Sequence, residues 1–420
     1  MSPLARADRH PSGGHRVAVT GIGLKTPVGT TLDEAYAAVL AGKPAATRLD
    51  RLAEADLPVH IACLVPEFDT EPYLSRREAR QIDRPAQLLL CAAADALADA
   101  ALPAGQPRER IGVQIGTGIG GLTSMEDATA GYVHRPRDLP VHTVPRTMAN
   151  SPACRVALRH GFQGVCTTYS SACASGGTAL AEAARRIRYG ELDVAVAGGV
   201  DAAISTVVLG SFARMRALSL RNDEPALASR PFDADRDGFV MGEGAVVLIL
   251  EPWAAARARG ARIHGEIAGY AETCDAFHIA APHEDGEVAA RCMRAAVADA
   301  GLALADIGHI SAHGTSTVPG DRAEARAVAR CYGAASPPVT AVKGVTGHLI
   351  GAAGALAAAL ALRCAADGLV PPIANLRSSP EADLLDLVQG APRAVAPAPV
   401  LSNAFGFGGQ NACLVLAPPT

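Results

Sequence analysis

At 420 residues the chain can hold two domain-sized halves or one large fold with a duplicated core. Hydrophobic residues make up 49% and charged residues 19%, which excludes a disordered or fibrous chain. A formal net charge of −4 gives no overall basic field and argues against nucleic acid as a partner. With aromatic residues at only 4%, the core must be built from Ala, Val, Leu and Ile. Ten cysteines at irregular spacing, without a CxxC pair, argue against a zinc cluster or a disulfide framework and for reduced thiols in the cytoplasm.

In chain order, residues 1–15 read as a flexible tail, polar and without the apolar core of a secretion signal. A buried-type strand is expected at 16–20, running into Gly21 and Gly23, then a helix at 32–41. Strand patterns recur at 111–116, 165–169, 193–197 and 245–251, with helices at 85–101 and 174–189. Past Trp253 the pattern starts again. Strands are expected at 263–269, 307–312, 339–342, 400–403 and 412–417, and helices at 286–300, 321–332 and 348–366. The apolar run 349–362 is short for a membrane span and reads as a buried helix. This is alternating α/β with two similar halves, 16–255 and 256–420, alike in element order and not in sequence.

Four motifs carry chemistry. In Thr167-Thr168-Tyr169-Ser170-Ser171-Ala172-Cys173-Ala174-Ser175-Gly176-Gly177, a strand ends in small residues before a helix. Cys173 falls at or beside the helix N-terminus, where unpaired N–H groups and the helix dipole favour thiolate. Its small neighbours leave room for an acyl group, and its amide can bind an oxyanion. Next, Ser311-Ala312-His313-Gly314-Thr315-Ser316-Thr317, followed by Asp321 and Glu324, puts a histidine at a strand end beside hydroxyls suited to a polar arm. Third, Lys343-Gly344-Val345-Thr346-Gly347-His348 sets a lysine and a histidine on a Gly-rich turn. The chain has only three lysines, at 25, 43 and 343, so a lysine here suggests a place where arginine would not fit. Last, Asn403-Ala404-Phe405-Gly406-Phe407-Gly408-Gly409-Gln410-Asn411 describes a tight turn presenting aromatic rings to a cavity. Taken singly, a buried structural cysteine, a satisfied core histidine, a solvent-facing lysine and a phosphate-binding loop are the ordinary alternatives.

The order Cys173, His313, Lys343 with His348, then Gly406-Phe407-Gly408-Gly409 resembles the β-ketoacyl–acyl carrier protein synthase family. Within it, the chain is most similar to the elongating condensing enzymes of type II fatty-acid and polyketide synthesis. The likeness runs from Val17 to Leu416, with supporting blocks at Val196-Ala197-Gly198-Gly199, Ser229-Arg230-Pro231-Phe232-Asp233 and Asp237-Gly238-Phe239-Val240-Met241-Gly242-Glu243-Gly244. It implies a thiolase-like fold, two βα halves in five layers, dimeric, with the site between the halves.

It also implies the chemistry: Cys173 takes an acyl group from acyl carrier protein, malonyl-carrier protein loses CO₂, and the carbanion attacks the acyl-cysteine. His313 and His348 would hold the developing negative charge, with Lys343 as electrostatic partner, paired with Glu324 or Asp321. Amides of Cys173 and Phe407 would form a second oxyanion hole, Phe407 would gate the acyl chain, and Phe405 would pack beside it. Thr315 and Thr317 match positions that bind the phosphopantetheine arm, and Ile119 a position lining the acyl pocket. Arg76, Arg77, Arg80, Arg214 and Arg216 would dock the acidic carrier. No cofactor is implied, since the substrates ride on the carrier's phosphopantetheine, and neither a metal nor a membrane is involved. Ala280-Ala281-Pro282-His283 departs from the hydroxyl-bearing segment of many relatives, and Tyr169-Ser170-Ser171 from their usual small-residue run. The partner would be a second copy or a chain-length-factor-like subunit. The rival reading is a non-catalytic chain-length partner of the same fold; a metal hydrolase built on His313, Asp321 and His348 lacks ligand spacing.

Overall fold

The computed structural model describes residues 8–333 and 335–419. Ten strands, most of them rich in valine, isoleucine and alanine, build the large sheet, labelled here β1 (Val17–Lys25), β2 (Ile111–Gly116), β3 (Cys166–Tyr169), β4 (Val194–Asp201), β5 (Gly244–Pro252), β6 (Gly265–Cys274), β7 (His309–Ser311), β8 (Val339–Thr340), β9 (Val400–Gly406) and β10 (Gln410–Ala417). Their spatial order is β8-β7-β9-β10-β6-β1-β5-β4-β2-β3. From either edge inward, each set of five therefore runs third, second, fourth, fifth, first. The sets meet where β1 and β6 pair antiparallel, Ala18 opposite Glu266 and Val19 opposite Gly265.

Six helices alternate with these strands: α1 (Arg84–Ala100), α2 (Ser151–His160), α3 (Ser175–Arg188), α4 (Glu287–Asp299), α5 (Val318–Tyr332) and α6 (Ala353–Asp367). Each half is thus β-α-β-α-β-α-β-β. Helix α1 covers β1 and β5 with α2 beside it, while α4 covers β6 and β10 with α5 beside it. Helices α3 and α6 pack on each other between the two sets of strands. That makes the five layers of the thiolase-like fold that the sequence resemblance implies.

Small residues let the central layer close. A Cβ on Gly354 would lie 2.8 Å from the Gly177 nitrogen, so α6 and α3 cross nearly backbone to backbone. The run read as a buried helix is this central one, and 83% of the window Ile350–Asp367 is enclosed by protein.

Some expectations change. Residues 1–7 of the expected tail lie outside the described residues, but the rest of it is tied down. His10 is buried and its Nε2 donates to the Ala268 carbonyl at 2.8 Å, while the His15 amide donates to the Arg188 carbonyl at 2.8 Å. The helix expected from residue 348 starts only at Ala353, because Gly347 and Ile350 have φ of +68° and +48° and a 3₁₀ turn, Ile350–Ala352, intervenes. Helix α2 was not expected from sequence; its ten residues carry a short apolar pattern.

The helix crossing makes a stability prediction. Gly354→Ala should cost about 1–3 kcal/mol by overpacking and lower the melting temperature. Gly131→Ala, where an added Cβ meets nothing within 4 Å, should not lower it.

Candidate active site

The turn that carries Cys173 is built from its own hydroxyls. After β3 the chain makes a 3₁₀ turn, Ala172–Ala174, and only then enters α3. The Ser171 amide donates to Ser175 Oγ at 3.0 Å, and that hydroxyl donates to the Ala172 carbonyl at 2.6 Å. Ala172 is held at φ +50°, a conformation that L-residues occupy at a cost of roughly 1–3 kcal/mol. The unusual Tyr169-Ser170-Ser171 run thus has local employment, with the Tyr169 hydroxyl donating to Gln114 Oε1 at 3.0 Å.

The turn joining β9 and β10 closes on this cysteine. A Cβ on Gly406 would lie 2.5 Å from the Ser171 carbonyl oxygen and 3.1 Å from the Cys173 nitrogen. Only glycine permits that approach, which brings the Phe407 amide to the Cys173 sulfur beside the cysteine's own amide. Gly408 and Gly409 then reverse the chain at φ of +81° and +74°. The sequence expectation that the helix terminus would favour thiolate does not hold in the resting site. Burial pushes the Cys173 thiol up to about 11, against the opposing pull of the Lys343 charge and the Phe407 amide.

The two histidines come from the other half. His313 follows β7; its amide and that of Gly314 donate to the two oxygens of Glu324, each at 2.8 Å. Asn403 Nδ2 donates to the same carboxylate at 3.0 Å, a supporting residue that sequence reading missed. His348 is pinned in an extended bridge, its amide donating to the Val240 carbonyl at 2.8 Å and its carbonyl accepting from Gly242 at 2.9 Å.

Their tautomers follow from their partners. His348 Nδ1 accepts from the Ile350 amide at 3.2 Å, and His313 Nδ1 faces Lys343 Nζ at 3.4 Å. Each ring therefore carries its proton on Nε2. The rings stand 5.5 Å apart and nearly perpendicular. His348 Nε2 is buried with no hydrogen-bond partner among the described residues. Burial, and then the Lys343 charge, holds both histidines well below their ordinary pKa, so both are neutral at pH 7.

Lys343 is itself buried and donates to the His313 carbonyl. Burial lowers it to about 8, with Glu324 opposing. The expected partnership with Glu324 or Asp321 is one of charge and not of contact: both carboxylates favour the charged lysine, while among the described residues neither forms an ion pair with Lys343 Nζ. Asp321 does not contact substrate space either. It is fully buried and accepts from the amides of Phe232, Thr315 and Ser316 at 2.7–3.1 Å, which spends the carboxylate on shaping the loop.

One cavity of about 400 Å³ joins Cys173, His313, His348, Phe405 and Phe407. Thr315 and Thr317 line it, their hydroxyls 2.9 Å apart, and so do the methyls of Ala280 and Ala281. Two profiles match the chain: "Beta-ketoacyl synthase, N-terminal domain" over residues 14–256, and "Beta-ketoacyl synthase, C-terminal domain" over residues 264–377. The chain belongs to the β-ketoacyl synthase family.

The synthase is 40% identical over 406 residues to 3-oxoacyl-[acyl-carrier-protein] synthase 2 of Vibrio cholerae serotype O1, covering 95% of this chain and 98% of that one. A solved type II PKS acyl-carrier protein in complex with its ketosynthase superposes with a TM-score of 0.90 at 30% identity, covering 97% of this chain and 100% of that one. The ishigamide ketosynthase/chain length factor superposes at 0.89 and 33% identity, with the same coverage.

Around the synthase's cavity, other expected residues are placed unevenly. Ile119 does not border it; it packs half-buried with Ile350 and Met241. Phe407 leans on Phe212 at 6.0 Å, Phe212 meets Phe239 edge-on at 5.4 Å, and Phe239 meets His348 edge-on at 5.3 Å. Phe212 and Phe239 were missed, although Phe239 lies in the Asp237–Gly244 block. Arg216 lines the cavity mouth, and Arg214 is the exposed last residue of the helix Thr206–Arg214. Arg76 and Arg77 sit on a single helical turn, Arg76–Ala79, Arg76 paired with Glu71 at 2.9 Å. Arg80, the C-cap of that turn, lines a separate cavity with Arg146 and Asp127.

The lysine gives a signed pH prediction. Near neutral pH, where Lys343 is charged, Lys343→Met should slow alkylation of Cys173 by iodoacetamide, read by peptide mass. The gap should close as pH rises through about 8, where Lys343 loses its own proton. A gap that stays constant at high pH would contradict this account.

Proposed function

We propose that the chain catalyses decarboxylative Claisen condensation, joining malonyl-acyl carrier protein to an acyl group held on Cys173 to give β-ketoacyl-acyl carrier protein. The observation that carries the reading is one thiol and two neutral Nε2–H donors on one cavity. Cys173 attacks the carrier-bound thioester; its proton leaves with the phosphopantetheine thiol. The amides of Cys173 and Phe407 hold the tetrahedral oxygen. The malonyl C–C bond then breaks, CO₂ departs, and the electron pair moves onto the thioester oxygen. His313 and His348 donate to that enolate oxygen, and burial strengthens both bonds. The carbanion carbon attacks the acyl-cysteine, and collapse releases the Cys173 sulfur as a thiolate, which takes up one proton from solvent to restore the thiol.

The half spanning 16–255 supplies the nucleophile and the half spanning 256–420 the histidines, Lys343 and Phe407, with Phe407 gating entry of the acyl chain toward Ile119. Thr315 and Thr317 receive the phosphopantetheine arm. No further cofactor is needed, and the reaction belongs to fatty-acid or type II polyketide elongation in the cytoplasm. The complete set of Cys173, His313, Lys343 and His348 in one cavity favours catalysis over a silent chain-length role.

A dimer is supported by the open edge of β3 and by exposed apolar residues on the segment between β2 and β3, among them Met125, Val141, Val144, Met148 and Leu158. A second copy or a chain-length-factor-like chain fits that face. Arg216 at the mouth, with Arg214, Arg76, Arg77 and Arg80 as outlying charges, would meet an acidic carrier protein.

Two measurements test this. Incubation with acyl-carrier protein should acylate the wild type but not Cys173→Ala, read by intact mass, while Cys166→Ala and Cys292→Ala keep acylation. In steady-state kinetics, Arg216→Glu should raise KM for carrier-bound substrate and leave a small thioester mimic unaffected; equal losses would defeat the docking assignment.

A further inference from the structure

We infer that Asp201 is a positioning residue for His348, holding the histidine's turn in register with the nucleophile's half. It is the last residue of β4 and completely buried. Its Oδ1 accepts from Thr117 Oγ1 at 2.8 Å and from the Ile119 amide at 3.2 Å. Its Oδ2 accepts from the Gly118 amide at 2.8 Å and from the Gly351 amide at 2.7 Å. The first three donors belong to the loop after β2, in the half that carries Cys173. The fourth lies three residues beyond His348, in the other half. One carboxylate therefore ties the two halves together beside the site. Burial pushes the Asp201 carboxyl up, and the four donors oppose that by favouring the anion, an arrangement no apolar side chain could use.

The duplicated fold explains why the fourth donor is Gly351. Before α3 comes the 3₁₀ turn Ala172–Ala174, with Ala172 at φ +50°. Before α6 comes the 3₁₀ turn Ile350–Ala352, with Ile350 at φ +48°. Gly351 thus occupies the place in the second half that Cys173 occupies in the first. Around Cys173 the amide faces the reacting sulfur; at Gly351 the equivalent amide is taken by Asp201. A Cβ on Gly351 would lie 2.5 Å from Asp201 Oδ2, so the missing side chain is what admits the carboxylate.

Two consecutive amides then share the work. Ile350 N–H goes to His348 Nδ1 and fixes the ring, and Gly351 N–H goes to Asp201 and fixes the turn. Releasing the second frees the strained Ile350 and with it the first. This rests on the proposed role of His348 as enolate donor.

The test is a double-mutant cycle on CO₂ release from malonyl-acyl carrier protein, with Cys173 acylation followed in parallel. Asp201→Asn removes the charge and turns one acceptor oxygen into an NH₂ that cannot accept, so part of the set of bonds is lost and the rest, the one from Gly351 included, are weakened while the volume is kept. CO₂ release should fall about tenfold to a hundredfold, the range expected for a misplaced donor, and acylation far less. In a His348→Ala background, Asp201→Asn should reduce CO₂ release no further, because its effect passes through the ring. Thr117→Val removes one donor and should give a smaller loss with the same non-additivity; it decides alone if Asp201→Asn does not fold. Additive losses in the two backgrounds, or acylation falling as much as CO₂ release, would overturn the inference. If His348→Ala itself left CO₂ release intact, the role of His348 would fail first, and this inference with it.

Discussion

The site depends on a backbone-to-backbone contact between the two halves, where Gly406 lies against the Ser171–Ala174 turn. Any side chain there would push the β9–β10 turn off the nucleophile. The contact sets the Phe407 amide on the Cys173 sulfur. The same economy operates deeper, where α3 and α6 cross at Gly177 and Gly354. A core poor in aromatic residues is the compositional trace of this close packing, since bulky rings would hold the central layer apart.

Enclosure then dictates the electrostatics. Lys343, His313 and His348 all lie at most 8% exposed, and no two cations can share such a volume without large cost. Lys343 keeps the charge and both imidazoles go without. Neutral rings with Nδ1 engaged become fixed donors at Nε2, which suits an oxygen that gains charge only during reaction. The cysteine meets the same burial with the opposite result: its thiol is held protonated at rest, and Lys343 and the two amides become useful as negative charge develops.

Much of this could be read in the sequence, for identifiable reasons. A short run of β-branched residues and glycine such as Ile111–Gly116 reads as a buried strand, and that range matched to the residue. Cys173, His313 and His348 stood out because reactive side chains sat among runs of small residues. What failed was whatever depends on φ or on distant partners. An isoleucine at φ +48° is the last residue one would place in that conformation, so the start of α6 was set too early. Asp321 looked like a site acid because it follows the Thr315–Thr317 run, yet backbone amides consume it. Asp201 and Asn403 carry no local signal, since the groups they bond, Gly351 and Glu324, lie far away in sequence.

The central claim is that two neutral, Nε2-protonated histidines from one half face a thiol from the other. It is tested most directly by ¹⁵N NMR of ring-labelled histidine in the intact enzyme, with His313→Asn and His348→Asn for assignment. The titration should run across the ordinary histidine pKa of about 6.5. Both resonance pairs should report the neutral Nε2–H tautomer throughout and not shift through that pH. An imidazolium forming near that value, or a proton on Nδ1 of either ring, would contradict the account.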